Sequence, residues 1–93
     1  GYHFLREGIR LAITQPEVME SVTGKLYPII SERFGSTVTR VERAIRHALA
    51  LAWNRDNFSV INKMFGFSCF RNTRPTNREF IALMSDRSLL MRI

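Results

Sequence analysis

Residues Thr37 to Asn54 read TVTRVERAIRHALALAWN, a stretch that decides the fold because it divides into an apolar and a basic face at helical spacing. At about 100° per residue, Val38, Val41, Ile45, Ala48, Leu49 and Ala52 fall within one arc roughly 100° wide. Thr39, Arg40, Arg43, Arg46 and His47 fall on the far side, with Glu42 on the shoulder between them. Such a helix buries its first face and offers the second to solvent or to something acidic. It follows a Gly35-Ser36-Thr37 turn and another short helix, so residues 25–54 are expected to form a helix-turn-helix.

Upstream, Leu26, Ile30 and Phe34, reinforced by Ile29, give the apolar stripe of a helix beginning near Lys25. Pro28 is tolerable there because it lies in the first turn, and Gly35 fits the C′ position. Ser36 and Thr37 offer hydroxyls to the N–H groups that open the long helix. Earlier still, Tyr2, Leu5, Ile9 and Ala12-Ile13 mark a first helix that stops at Thr14-Gln15-Pro16-Glu17. Thr14 and Glu17 have capping-box spacing for a short second helix through Ser21, which Val22-Thr23-Gly24 should break.

Downstream, Asn54-Arg55-Asp56-Asn57 ends the long helix, and Phe58, Ile61, Met64 and Phe65 mark a short fifth helix closed by Gly66. Phe67 to Pro75 reads as a loop, after which Thr76 and Glu79 form a capping box that opens a sixth helix carrying Phe80, Leu83 and Met84. Strand-type alternation is missing. The expectation is an all-α, compact six-helix domain, with residues 1–93 forming one unit.

The hydrophobic fraction of 45% suits a packed core. Fourteen Lys and Arg against eight Asp and Glu leave a charge of +6, and the sequence pI near 10.7 points to a polyanionic partner. The single cysteine, Cys69, allows no intrachain disulfide, so the chain reads as a reduced, cytoplasmic protein. The longest apolar run, Ala48 to Trp53, falls far short of the ~18 residues of a membrane helix, and no export leader is recognisable. A helical pattern that starts directly after Gly1 suggests a domain excised from something longer.

The three arginines near the start of the long helix need a reason. Arg presents a planar fork that can bond guanine O6 and N7 together, and a neighbouring carboxylate can accept from cytosine N4. Arg40, Glu42 and Arg43 are therefore candidates to contact bases in the major groove of double-stranded DNA. Thr37 and Thr39, in the first turn, can donate to phosphate where the helix dipole also favours negative charge. Arg46 and His47, one turn on, suit the backbone or groove wall. Arg71, Arg74 and Arg78 around Pro75, with Lys25 and Arg33, could add sequence-independent phosphate contacts. The bland alternative is a solvated face with a Glu42–Arg46 pair worth ~0.3–0.5 kcal/mol. The functional alternative is a helical protein-interaction module whose basic helix binds an acidic partner protein.

Catalysis finds no support in the sequence. His3 and His47 are far apart, one cysteine is available, and no metal-ligand spacing exists, so neither a metal nor a cofactor is expected. Glu42 and His47 stand about 140° apart on one helix, too far round to act as an acid–base dyad. The glycines at 1, 8, 24, 35 and 66 form no phosphate loop. Trp53, the phenylalanines and the methionines are most simply core.

The runs Tyr2-His3-Phe4-Leu5-Arg6-Glu7, Leu26-Tyr27-Pro28, Arg40-Val41-Glu42-Arg43-Ala44-Ile45-Arg46-His47-Ala48, Ala52-Trp53 and Pro75-Thr76-Asn77, followed by Glu79-Phe80-Ile81-Ala82, resemble the C-terminal effector domains of the stage zero sporulation protein A family of response regulators. The resemblance spans essentially the whole chain. It implies a six-helix effector domain whose fourth helix enters the major groove of a short DNA box, with Arg40, Glu42 and Arg43 at bases. It implies a regulator of entry into sporulation that activates some promoters and represses others. It also implies an N-terminal receiver domain, absent from this chain, whose phosphorylation relieves inhibition and promotes homodimeric binding to tandem boxes. Finally it implies contact with the RNA polymerase sigma subunit through a surface around Ser59, Asn62, Lys63, Phe65 and Cys69, with Ser85 nearby.

Overall fold

Helical periodicity and its punctuation produce the elements in the order expected for most of the chain. The computed structural model describes residues 2–53 and 74–92, and the side chains of the last helix as far as Asp86. Within them run α1 (Tyr2–Thr14), a 3₁₀ turn (Pro16–Glu20), a π-helical turn (Val22–Leu26), α2 (Tyr27–Arg33), α3 (Val38–Ala52) and α4 (Asn77–Arg92). The described residues are thus all-α, with four α-helices where six were expected. The expected second helix is the 3₁₀ turn, and the expected fifth helix and the loop as far as Thr73 lie outside the described residues.

Several local expectations are corrected. Thr14 does not open a capping box with Glu17: its hydroxyl donates back to the Arg10 carbonyl at 3.0 Å, and Gln15 takes the N-cap position with no side-chain bond. The short second helix does end here, but at the extended Ser21 rather than through Val22-Thr23-Gly24. Ser21 also caps the π turn that follows, its Oγ accepting from Gly24 N at 3.0 Å, and that turn leads straight into α2. Pro28 sits in the first turn of α2, as its missing N–H requires. Gly35 ends that helix at φ 61°, a left-handed conformation that glycine adopts without Cβ strain.

The core is built around α3. Val41 and Ile45 have no exposed surface, Leu49 has 1%, and Leu11, Leu26, Ile30 and Ile81 close around them. α1 lies chiefly against α4 and α3, while α2 packs on α3 and also meets α1. The buried face of α1 is Leu5, Gly8, Leu11 and Ala12, rotated from the expected stripe: Tyr2 is 59% exposed and Ile9 half-buried. Gly8 lies at the contact with α4, where a Cβ would stand 3.3 Å from Ile81 Cδ1, tighter than an ordinary contact. Phe34 was expected in the core but is 46% exposed, packing at the surface edge-on to Phe4 with centroids 5.4 Å apart. Trp53, half-buried, meets buried Phe80 edge-on at 5.5 Å.

The opening of α4 follows its sequence signature. Glu79 N donates to Thr76 Oγ1 at 3.1 Å and Thr76 N donates to Glu79 Oε1 at 2.9 Å, a reciprocal capping box. That backbone donation holds the Glu79 carboxyl below its ordinary range. Removing the central side chain should cost most: Ile45→Ala is expected to lower unfolding free energy by about 2–5 kcal/mol. Gly35→Ala, at a position that strains any Cβ, should cost about 1 kcal/mol, both changes being read from urea titrations of the folded chain.

Candidate nucleic-acid interface

The reading of α3 as a two-faced helix holds through its middle, with Val38 and Ala52 at its ends only half-buried. Thr37 caps it, its Oγ1 accepting from Arg40 N at 3.2 Å, which leaves the hydroxyl proton available to an outside acceptor. Val41, Ile45, Ala48 and Leu49 are buried, whereas Thr39, Arg40, Arg43, Arg46 and His47 are exposed. Glu42 stands on the boundary, half-buried, with its carboxylate 3.6 Å from Arg46 Nε. An exposed pair at this spacing contributes only a few tenths of a kcal/mol. The basic face is therefore not held by internal bonds of consequence.

The other cations predicted for phosphate are distributed unequally. Arg46, Arg74 and Arg78 converge on one cleft of about 530 Å³ between the π turn, α3 and the start of α4, also lined by Ser21, Thr23, Tyr27, Glu42, Thr76 and Asn77. Arg74 is exposed, whereas Arg78 donates through Nη2 to the Met19 carbonyl at 3.2 Å and ties α4 to the 3₁₀ turn. Lys25 lies apart from the cleft, its Nζ 2.6 Å from Glu20 Oε1. Arg33 reaches Glu7 at 3.1 Å, where Arg10 also binds, and the Arg10 bond pulls the Glu7 carboxyl below its usual range. Arg71, and the Ser59, Asn62, Lys63, Phe65 and Cys69 group, lie outside the described residues. Ser85, expected near that group, is buried, and its hydroxyl donates to the Ala82 carbonyl of its own helix at 2.9 Å.

Sequence reasoning assigned no role to Asn77 or Tyr27. Asn77 Nδ2 donates to Tyr27 Oη at 3.0 Å and to the Glu42 backbone carbonyl at 3.2 Å, joining three helices. Burial pushes the Tyr27 phenol up from its ordinary value, so it stays protonated. A polar residue directly after a capping threonine, at a position where solvent normally takes it, was the only signal available. Among the described residues no His, Cys, Asp and Glu group could hold a metal, and no helix is long and apolar enough to cross a membrane.

Over the described residues, fold and surface together define a small helical unit that holds one basic helix face outward from a sealed core. Residues 1–88 match the family described as "Sporulation initiation factor Spo0A C terminal", and the chain belongs to that family. The resemblance in its motifs is borne out, and the family is one of DNA-binding transcription regulators of the sporulation response-regulator class. If the arginine face of α3 serves a partner rather than the fold, replacing Arg40, Arg43 and Arg46 together by Gln should shift unfolding free energy by less than about 0.5 kcal/mol. Urea denaturation followed by circular dichroism checks this, and a larger loss would make the face structural.

Proposed function

We propose that this chain is a sequence-specific DNA-binding effector domain in which α2, the Gly35 turn and α3 act as a helix-turn-helix, with α3 in the major groove of a short box. The observation that carries this reading is the exposure of Arg40 and Arg43 on a helix whose opposite face is fully sealed at Val41 and Ile45. Arg40, Glu42 and Arg43 read bases, while Thr37, Thr39, Arg46 and His47 meet the backbone or groove wall. Arg74 and Arg78 at the cleft, with Arg71 and Lys25, add charge toward phosphates. For Lys25 that role requires exchanging Glu20 for a phosphate. Family membership supports a control role in sporulation, with a phosphorylated receiver domain governing paired binding on tandem sites and the domain activating some promoters and repressing others.

The test is competition. The box enriched by this chain from a randomised duplex pool should be bound several kcal/mol more tightly than a scrambled duplex, with each wrong base pair costing ~1–3 kcal/mol. Equal binding to both would favour an acidic protein partner instead. Arg43→Ala should relax preference at one position, whereas Arg74→Ala should weaken all duplexes alike and reduce the salt slope by about one. The sigma-subunit contact makes a separate prediction: replacing Lys63 should impair transcription activation in a reconstituted assay while DNA affinity stays unchanged. Joint loss of both would count against a dedicated polymerase contact there.

A further inference from the structure

We infer that Asn77 is a positioning residue for α3, fixing the point on that helix from which Glu42 and Arg43 project toward bases; the inference rests on the DNA-reading proposal above. Asn77 is the first residue of α4, and its own placement is rigid. Pro75 before it is buried, and the reciprocal bonds of Thr76 and Glu79 lock the first turn. From that fixed base the amide reaches Tyr27 Oη at the start of α2 and the Glu42 carbonyl on α3. A carbonyl only accepts, so the NH₂ end of the amide must face it, and its two hydrogens match the two acceptors.

The bond falls on the backbone of a base-reading residue, where its effect differs from that of the core. Apolar contacts along Val41, Ile45 and Leu49 hold α3 down but are non-directional, and tolerate small rotations or slides along the stripe. A hydrogen bond to one carbonyl is directional and stops such motion at that residue. Base readout depends on that restraint because a bidentate Arg–guanine contact weakens steeply once donors leave line. Loss of the amide should not unfold the chain: Asn77 and Glu42, both half-buried, line the cleft, where water can take up the vacated bond to the Glu42 carbonyl.

The experiment compares wild type with Asn77→Ala, Asn77→Asp and Tyr27→Phe as full chains, each checked for folding by thermal denaturation. Asn77→Asp keeps the shape and places a carboxylate where a helix N-terminus favours it, yet cannot donate to the Glu42 carbonyl. It therefore separates positioning from stability should the alanine variant fold poorly. Affinities for the wild-type-selected box and for its scrambled duplex are then expressed as a ratio, which cancels the uniform repulsion of DNA by the added charge. The ratio should fall about tenfold in both Asn77 variants, the net size of one hydrogen bond. It should fall less in Tyr27→Phe, which retains the Glu42 bond. A folded Asn77→Asp with the wild-type ratio overturns the inference. A wild-type chain with no preference overturns the DNA-reading proposal itself, and the role of Asn77 with it.

Discussion

Val41 and Ile45 keep no surface in contact with water, while Arg40, Glu42, Arg43 and Arg46 beside them in sequence face outward or stand at the boundary. One helix must thus be sealed and solvated within a single turn, and the other elements are arranged around that requirement. Burying an Ile or Val side chain stabilises by about 1.5–3 kcal/mol, whereas the exposed Glu42–Arg46 pair contributes a few tenths. The apolar face therefore decides where α3 lies, and the basic face inherits its direction. α1 meets α4 at Gly8, where a Cβ would crowd Ile81, and α2 enters through a proline-containing first turn that needs no donor at Pro28.

The bonds that fix where α3 and α4 begin, and the glycine that ends α2, sit at the ends of those elements. Thr37 opens α3, Gly35 closes α2, and Thr76 with Glu79 opens α4. These fix where each helix starts, and hence the rotational phase of every side chain that follows, since a helix advances about 100° per residue. Asn77 extends the same logic across helices, carrying the fixed start of α4 onto the backbone of α3.

What was legible in the sequence divides along the same line. The faces of α3, the Gly35 stop, the Thr37 cap and the Thr76–Glu79 box are local patterns with local causes, and each stands where it was read. The misreadings are non-local. The buried face of α1 takes in Gly8, which counts as an apolar contact only once Ile81 lies opposite it, and Ile81, fully buried, was missed for the same reason. Thr14 had the spacing of a cap but spent its hydroxyl on the preceding turn, an option open to any threonine at a helix end. Phe34 has the period of a core residue but lies one position past the end of α2, where the stripe has run out of partners. The bonds of Asn77 span 35 and 50 residues of sequence, beyond the reach of any periodicity.

The net charge of +6 pointed to a polyanion without saying which cations would meet it, and the pairing pattern narrows that choice. Arg10 and Arg33 share Glu7, Lys25 holds Glu20, and Arg78 is spent on the Met19 carbonyl, so each must give up a bond before it can take a phosphate. For Arg46 the exchange is easy, because its partner lies 3.6 Å away and is solvated. The acidic residues Glu7 and Glu20 thus occupy cations of α1, α2 and the π turn, whereas on α3 only Arg46 has a carboxylate beside it among the described residues. Among the described residues Arg6 and Arg74 are exposed as well, so it is the spacing of Arg40, Arg43 and Arg46 along one exposed helix face, rather than availability alone, that sets α3 apart from the overall charge.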